Sequence, residues 1–172
     1  PADPPAVATS TAGNPTFIYQ ERADAFAASA PPPGSAVIGA WTVDSTHAFR
    51  GEPAHTQPPA DGLQQHYFIH ASAPLSVTAG DEIVQYVYLD ALNPPAEIYL
   101  QFYTGDGNGE HRVFWGDDRA QTGGSTGTPS LFPLGPLPEK GVWVRLRVPA
   151  AVLNLRGELI TGILYGAYNG QT

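Results

Sequence analysis

The nine residues GLQQHYFIH, Gly62 to His70, hold two histidines, two glutamines and two aromatic rings. Imidazoles this dense suit a metal centre, an acid–base site or the polar face of one strand. His55, His66, His70 and His111 could converge with Asp90 on zinc or nickel, which take imidazole and carboxylate ligands. Spacing argues against that. On an extended strand His66 and His70 stand about 13 Å apart at ~3.3 Å per residue, too far for one ion unless the strand bulges. The expectation is therefore smaller: His66, with His55 and the EHR stretch that carries Glu110 and His111, shapes a polar pocket.

Carboxylates gather in GDGNGE and WGDD. Asp117 and Asp118, in a loop start, carry oxygen donors of the kind calcium takes, and they are the candidate metal ligands. GDGNGE is too short for a known calcium loop, and its Gly, Asp and Asn are what a tight hairpin turn needs anyway. Glu110, Glu97 and Asp90 are candidates for a glycosidase carboxylate pair only by residue type. The sequence has no nucleophile elbow, HExxH or phosphate loop. With no cysteine, thiol catalysis, thiolate metal sites and disulfides are excluded. The expectation is a protein that is not an enzyme and needs no cofactor, calcium aside.

Aromatic side chains offer the better chemistry. Tyr88, Tyr99, Tyr103, Trp115 and Trp143 lie on expected strands beside Gln101, Glu110, His111, Arg145 and Arg147. A sugar ring has apolar C–H faces for flat rings and hydroxyl edges for amide and charged groups. A strand face mixing both kinds suits a polysaccharide or glycan. Trp115, at the mouth of a long loop beside Gly116 and two aspartates, is expected to be the foremost contact.

These residues need strands to position them. The chain of 172 residues can bury one sizeable core, and 19 Gly with 18 Pro suit many strands and turns rather than helices. EIVQYVYLDA has apolar or aromatic residues on both faces and reads as a central strand. EIYLQFYTG and EHRVFWG read as a hairpin closed by GDGNG. GVWVRLRVP alternates cleanly, LITGILYGAY reads as the last strand, and HYFIHAS and FIYQ as others. HYFIHAS puts Tyr67 and Ile69 opposite His66, Phe68 and His70. Residues 51–62 and 117–135 read as loops, the second long enough to suggest function. The fold class expected is all-β, an antiparallel two-sheet β-sandwich or jelly roll with little helix, over residues 17–172.

Residues 1–16 are rich in Pro, Ala and Thr and read as a linker or an extended arm. A formal charge of −8 makes nucleic acid an unfavourable partner. No stretch approaches 18 consecutive apolar residues, so no membrane insertion is expected. The start at Pro1, without a methionine, reads as a processed or a trimmed chain. Few lysines, many Thr and Gly and an acidic balance suit a secreted or cell-surface protein.

Three stretches in combination carry a resemblance: YFIHASAPLSVTAGDEIVQYVYLDALNPPAEIYLQFYTGDG, EHRVFWGDD and LGPLPEKGVWVRLRVPAAVLNLRGELITGILYGAY. With Ala54-His55 and Gln65-His66-Tyr67-Phe68, they resemble a concanavalin A-like or carbohydrate-binding β-sandwich module. Such modules occur in bacterial cell-surface proteins of the Rhs-type repeat kind and in secreted multidomain proteins. The resemblance runs from about Phe17 to the end and implies glycan binding. It also implies a final aromatic strand after YNGQT, where this chain stops. That slot would invite the arm 1–16 of a neighbour, giving self-association into a surface filament.

Overall fold

The Gly/Asp/Asn turn and the apolar alternation take the expected form in a computed structural model, which describes residues 30–56, 59–78 and 80–170. The chain is all-β. Its strands are β1 (Ala36–Ile38), β2 (Thr42–Phe49), β3 (Glu52–Thr56), β4 (Leu63–Ile69), β5 (Leu75–Ser76), β6 (Glu82–Tyr88), β7 (Glu97–Thr104), β8 (Arg112–Gly116), β9 (Phe132–Pro133), β10 (Trp143–Pro149) and β11 (Leu159–Tyr168). One 3-10 turn, Ala150–Leu153, precedes β11. Among the described residues no helix is long and apolar enough to cross a membrane.

Seven strands form a large sheet in the order β1-β4-β11-β7-β8-β9, with β5 also on β11. The pairs β6–β10 and β2–β3 stand as separate two-stranded sheets. Pairing is antiparallel except between β8 and β9. The β7–β8 register runs from Glu97 opposite Gly116 to Gln101 opposite Arg112. Its turn is closed by side chains: Thr104 Oγ1 and the Asn108 N–H donate to Asp106 Oδ1 at 2.6 and 3.0 Å. The Glu110 N–H in turn donates to Asn108 Oδ1 at 2.9 Å. Short polar side chains thus supply the acceptors that the sheet no longer provides.

Period-two alternation sorts the large sheet into two faces. Phe68 of β4, Ile163 of β11, Phe102 of β7 and Val113 and Trp115 of β8 lie in one buried cluster. Ile83 of β6, Leu146 and Val148 of β10 and Leu153 and Leu155 complete the same cluster. The β6–β10 pair is therefore a second layer on the inner face of the large sheet. Each fully buried aliphatic or aromatic side chain contributes about 1.5–3 kcal/mol, so this shared core is what joins the layers.

Two expectations change. The β6 strand was expected to be central, yet its only strand partner among the described residues is β10. Its second apolar face is covered by side chains instead: Phe49 lies 4.3 Å from Tyr86, and His47 4.5 Å from Tyr88, ring centre to ring centre. Periodicity reports burial and is silent on what does the burying. Residues 51–62 were expected to form a loop, but Glu52–Thr56 pair with β2. Pro53 misled that reading, and a two-stranded hairpin has free edges on which proline is tolerated. The expected FIYQ strand and the arm of residues 1–16 lie outside the described residues.

Candidate functional site

The outer face of the large sheet carries a polar-aromatic platform. On β7 the outward residues are Tyr99, Gln101 and Tyr103; on β4 they are Gln65 and Tyr67. Strand β11 runs between them and places Gly166 opposite both Tyr99 and Gln65. The Tyr99 ring lies over Gly166, where a Cβ would overlap it. Tyr99 is buried, and Gln65 donates to its hydroxyl. Burial pushes the Tyr99 phenol up to about 12. Tyr67 and Tyr103 stack across β11 with ring centres 5.9 Å apart and planes within 22°. Both are only half-buried, and Gln65 beside them is exposed. Gly109 lies close against Gln101 and Tyr103, where a Cβ would run into both.

One wall of this platform is the long loop after β8. Arg112, 7% exposed, reaches from β8 into the loop. Its Nε donates to Gln101 Oε1 at 2.9 Å, and its terminal nitrogens donate to Glu110 at 2.8 Å and to the carbonyls of Gly123 and Ser130 at 3.3 and 3.2 Å. Glu97 holds the other end. Its Oε2 accepts the N–H groups of Arg119 and Ala120 at 2.5 and 2.7 Å. Burial raises the Glu97 pKa, and those two N–H bonds oppose the rise. Ala120 and Leu131 then pack on Tyr99, Phe114 and Leu164. The loop expected at 117–135 is thus an ordered cover, with only the short β9 inside it.

The histidines divide. His66 Nε2 and His55 Nδ1 meet at 2.6 Å, so two of the expected pocket residues do come together. They lie on the inner side of β4, between Trp41 and Tyr165. Burial holds His66 down at about 4, and burial plus the neighbouring His66 holds His55 down at about 3. His111 does not join them: it is buried elsewhere and its Nδ1 contacts the Leu153 carbonyl at 2.8 Å. His70 leaves the strand with a positive φ of 63° and is exposed.

Other expected residues are scattered. Trp115 is 7% exposed and sits in the core between the layers, so it cannot offer its face to a ligand. The correction has a simple cause: Trp115 falls in register opposite Ile98, on the inner face, where the loop start at Gly116 gives no exposure. Tyr88 packs on His47 and Trp143 on the outer face of β6–β10, where Arg145 is exposed, far in the topology from the platform. Asp117 pairs with Arg119 at 3.2 Å and Asp118 accepts from Thr126 Oγ1 at 2.9 Å, so the two carboxylates part. No three His, Cys, Asp or Glu side chains among the described residues converge as a metal ion requires. An open cleft is walled by Ala96, Gly116, Asp117, Gly135, Pro136 and Leu137, with Asp117 its one charged side chain.

Tyr67, Gln65 and Arg112 are platform residues that the sequence did not single out. Alternation in HYFIH did place Tyr67 opposite His66, but its neighbour Tyr103 becomes visible only once β11 is known to lie between β4 and β7. No family model matches the chain, and neither a curated protein nor a solved structure matches it.

Proposed function

We propose that this protein is a non-catalytic, extracellular carbohydrate-binding module that seats a glycan on the Tyr67–Tyr103 platform. The observation that carries this reading is the half-exposed tyrosine pair with Gln65 and Glu110 at its margin. Stacked phenol rings match the apolar face of a pyranose, and the flanking amide and carboxylate match its hydroxyl edges. The secreted or cell-surface setting belongs to the same proposal and rests on composition and on the resemblance to carbohydrate-binding sandwich modules. A polysaccharide pull-down or glycan array tests it. Tyr67→Ala and Tyr103→Ala are each expected to cut retention by tenfold or so, about 1.4 kcal/mol, within the range of one aromatic contact, with the fold intact by circular dichroism. Retention unchanged in both variants would remove the platform as the site.

A second reading is a filament subunit joined by the arm 1–16 of a neighbour. It draws on β1, a three-residue strand at one end of the large sheet whose Val37 and Ile38 are exposed. An exposed apolar edge invites strand addition. Light scattering of a chain lacking residues 1–16 is expected to show smaller particles than the full chain. Equal sizes would exclude the arm as connector.

A further inference from the structure

The β2–β3 hairpin has no ladder hydrogen bonds to any other strand among the described residues, since β2 and β3 pair only with each other. Side chains hold it to the sheets at two ends. At one end Phe49 and His47 lie on Tyr86 and Tyr88 of β6. At the other Trp41 packs on Phe68 and Tyr165, and His55 meets His66 of β4. The approach is tight there, because Gly39, with a φ of 84°, lies against the backbone of Gln65 and His66.

The His55–His66 contact is a polar bond between the hairpin and the sheet at that end. Two imidazoles can share one proton, one nitrogen donating and the other accepting. A first added proton places a positive charge among the rings of Trp41 and Tyr165, which pack on both imidazoles. A second proton makes both facing nitrogens donors, and the bond is lost. The far end behaves differently. There His47 Nδ1 lies 2.7 Å from Asp44 Oδ2, a contact within the hairpin itself.

We propose that the β2–β3 hairpin is an acid-released flap, whose Trp41/His55 end lifts from β4 and β11 when the His55–His66 pair is protonated. The sign follows from the depressed values of both histidines. With the flap lifted, each imidazole returns to an ordinary value near 6.5. Docking is therefore fully supported above that pH and is weakened as pH falls toward 4. Each pH unit below 6.5 disfavours docking about tenfold per histidine, until the docked form itself takes up the proton. What is released is the inner face of β4 and β11 around Phe68 and Tyr165.

Hydrogen exchange followed by mass spectrometry, corrected for the intrinsic pH dependence of exchange, tests this on the full chain. Between pH 7 and pH 4.5, peptides spanning 41–56 are expected to lose protection by about a hundredfold for each of the two histidines, reversibly, while peptides from β7 and β8 keep theirs. His55→Gln and His66→Gln retain a hydrogen-bonding side chain that does not titrate. Each is expected to flatten the acid response of the hairpin, and near-ultraviolet circular dichroism at pH 7 checks that each is folded. Three results would overturn the proposal: hairpin protection independent of pH, loss of hairpin and β7–β8 protection together, or an unaltered acid response in a folded variant.

Discussion

Arg112→Ala is expected to lower the unfolding free energy by about 3 kcal/mol, the scale set by stranding the partners of a buried charged group. The side chain is nearly fully buried and serves Gln101, Glu110, Gly123 and Ser130 at once. Removing it leaves a buried amide oxygen without its charged donor and two loop carbonyls open. The loss is local as well as global. Residues 117–131 are then held to the sheet by Glu97, by the packing of Ala120 and Leu131 and by the backbone bonds of Pro129 and Asp117, without the buried guanidinium between them, so limited proteolysis should cut there well before it cuts the sheets. Arg112→Lys should recover little, because an ammonium lacks the planar fork that reaches the Gln101 oxygen and the loop carbonyls together. Urea unfolding measures the first effect and a protease time course the second. A variant as stable and as protease-resistant as the parent would show that the loop is held by other contacts.

Trp115→Ala is expected to cost more, about 3–5 kcal/mol, the usual scale for emptying a buried indole site. Trp115 shares a cluster with Ile98, Leu100 and Val113 of the large sheet and with the layer made by β6 and β10. Its removal opens a cavity between layers that each already depend on the other for burial. Trp115→Phe keeps an aromatic ring and should cost clearly less. The pair of variants also separates core from site. Folded Trp115→Phe should retain any bound glycan like the parent, whereas Tyr103→Ala should not. Calorimetric unfolding and polysaccharide retention, run on the same samples, provide the comparison. Strong loss of retention in a stable Trp115→Phe would return that ring to the binding surface.

Local patterning was a reliable guide wherever the physics is local. GDGNG closes a hairpin because its side chains supply their own acceptors, and that property travels with the residues. GVWVRLRVP alternates because one face of β10 meets the core, and Leu146 and Val148 are buried as that pattern requires. The same reading failed for β6, where apolar residues on both faces suggested a strand in mid-sheet. Tyr86 and Tyr88 are covered by another hairpin's side chains, and hydropathy is the same for either cover.

The site was legible only in part, for a related reason. Tyr99, Gln101 and Tyr103 share a face by alternation alone, and residue type marked them as glycan-compatible. Trp115 carried the same signal of type and stood next to a loop, yet its register puts it inside. His55 and His66 are eleven positions apart along the chain, and nothing in that interval dictates that their ring nitrogens meet.

By itself, then, the sequence determined an all-β chain: Gly and Pro spacing, two-residue periodicity and self-satisfied turns require no knowledge of distant neighbours. Which strands became neighbours was a tertiary decision. Setting β11 between β4 and β7 brings Tyr67 to Tyr103, and folding β2–β3 over the inner face brings His55 to His66. Both contacts join residues whose fit depends on how the whole core closes. Core closure is a sum over many weak, non-directional burials that no short stretch encodes.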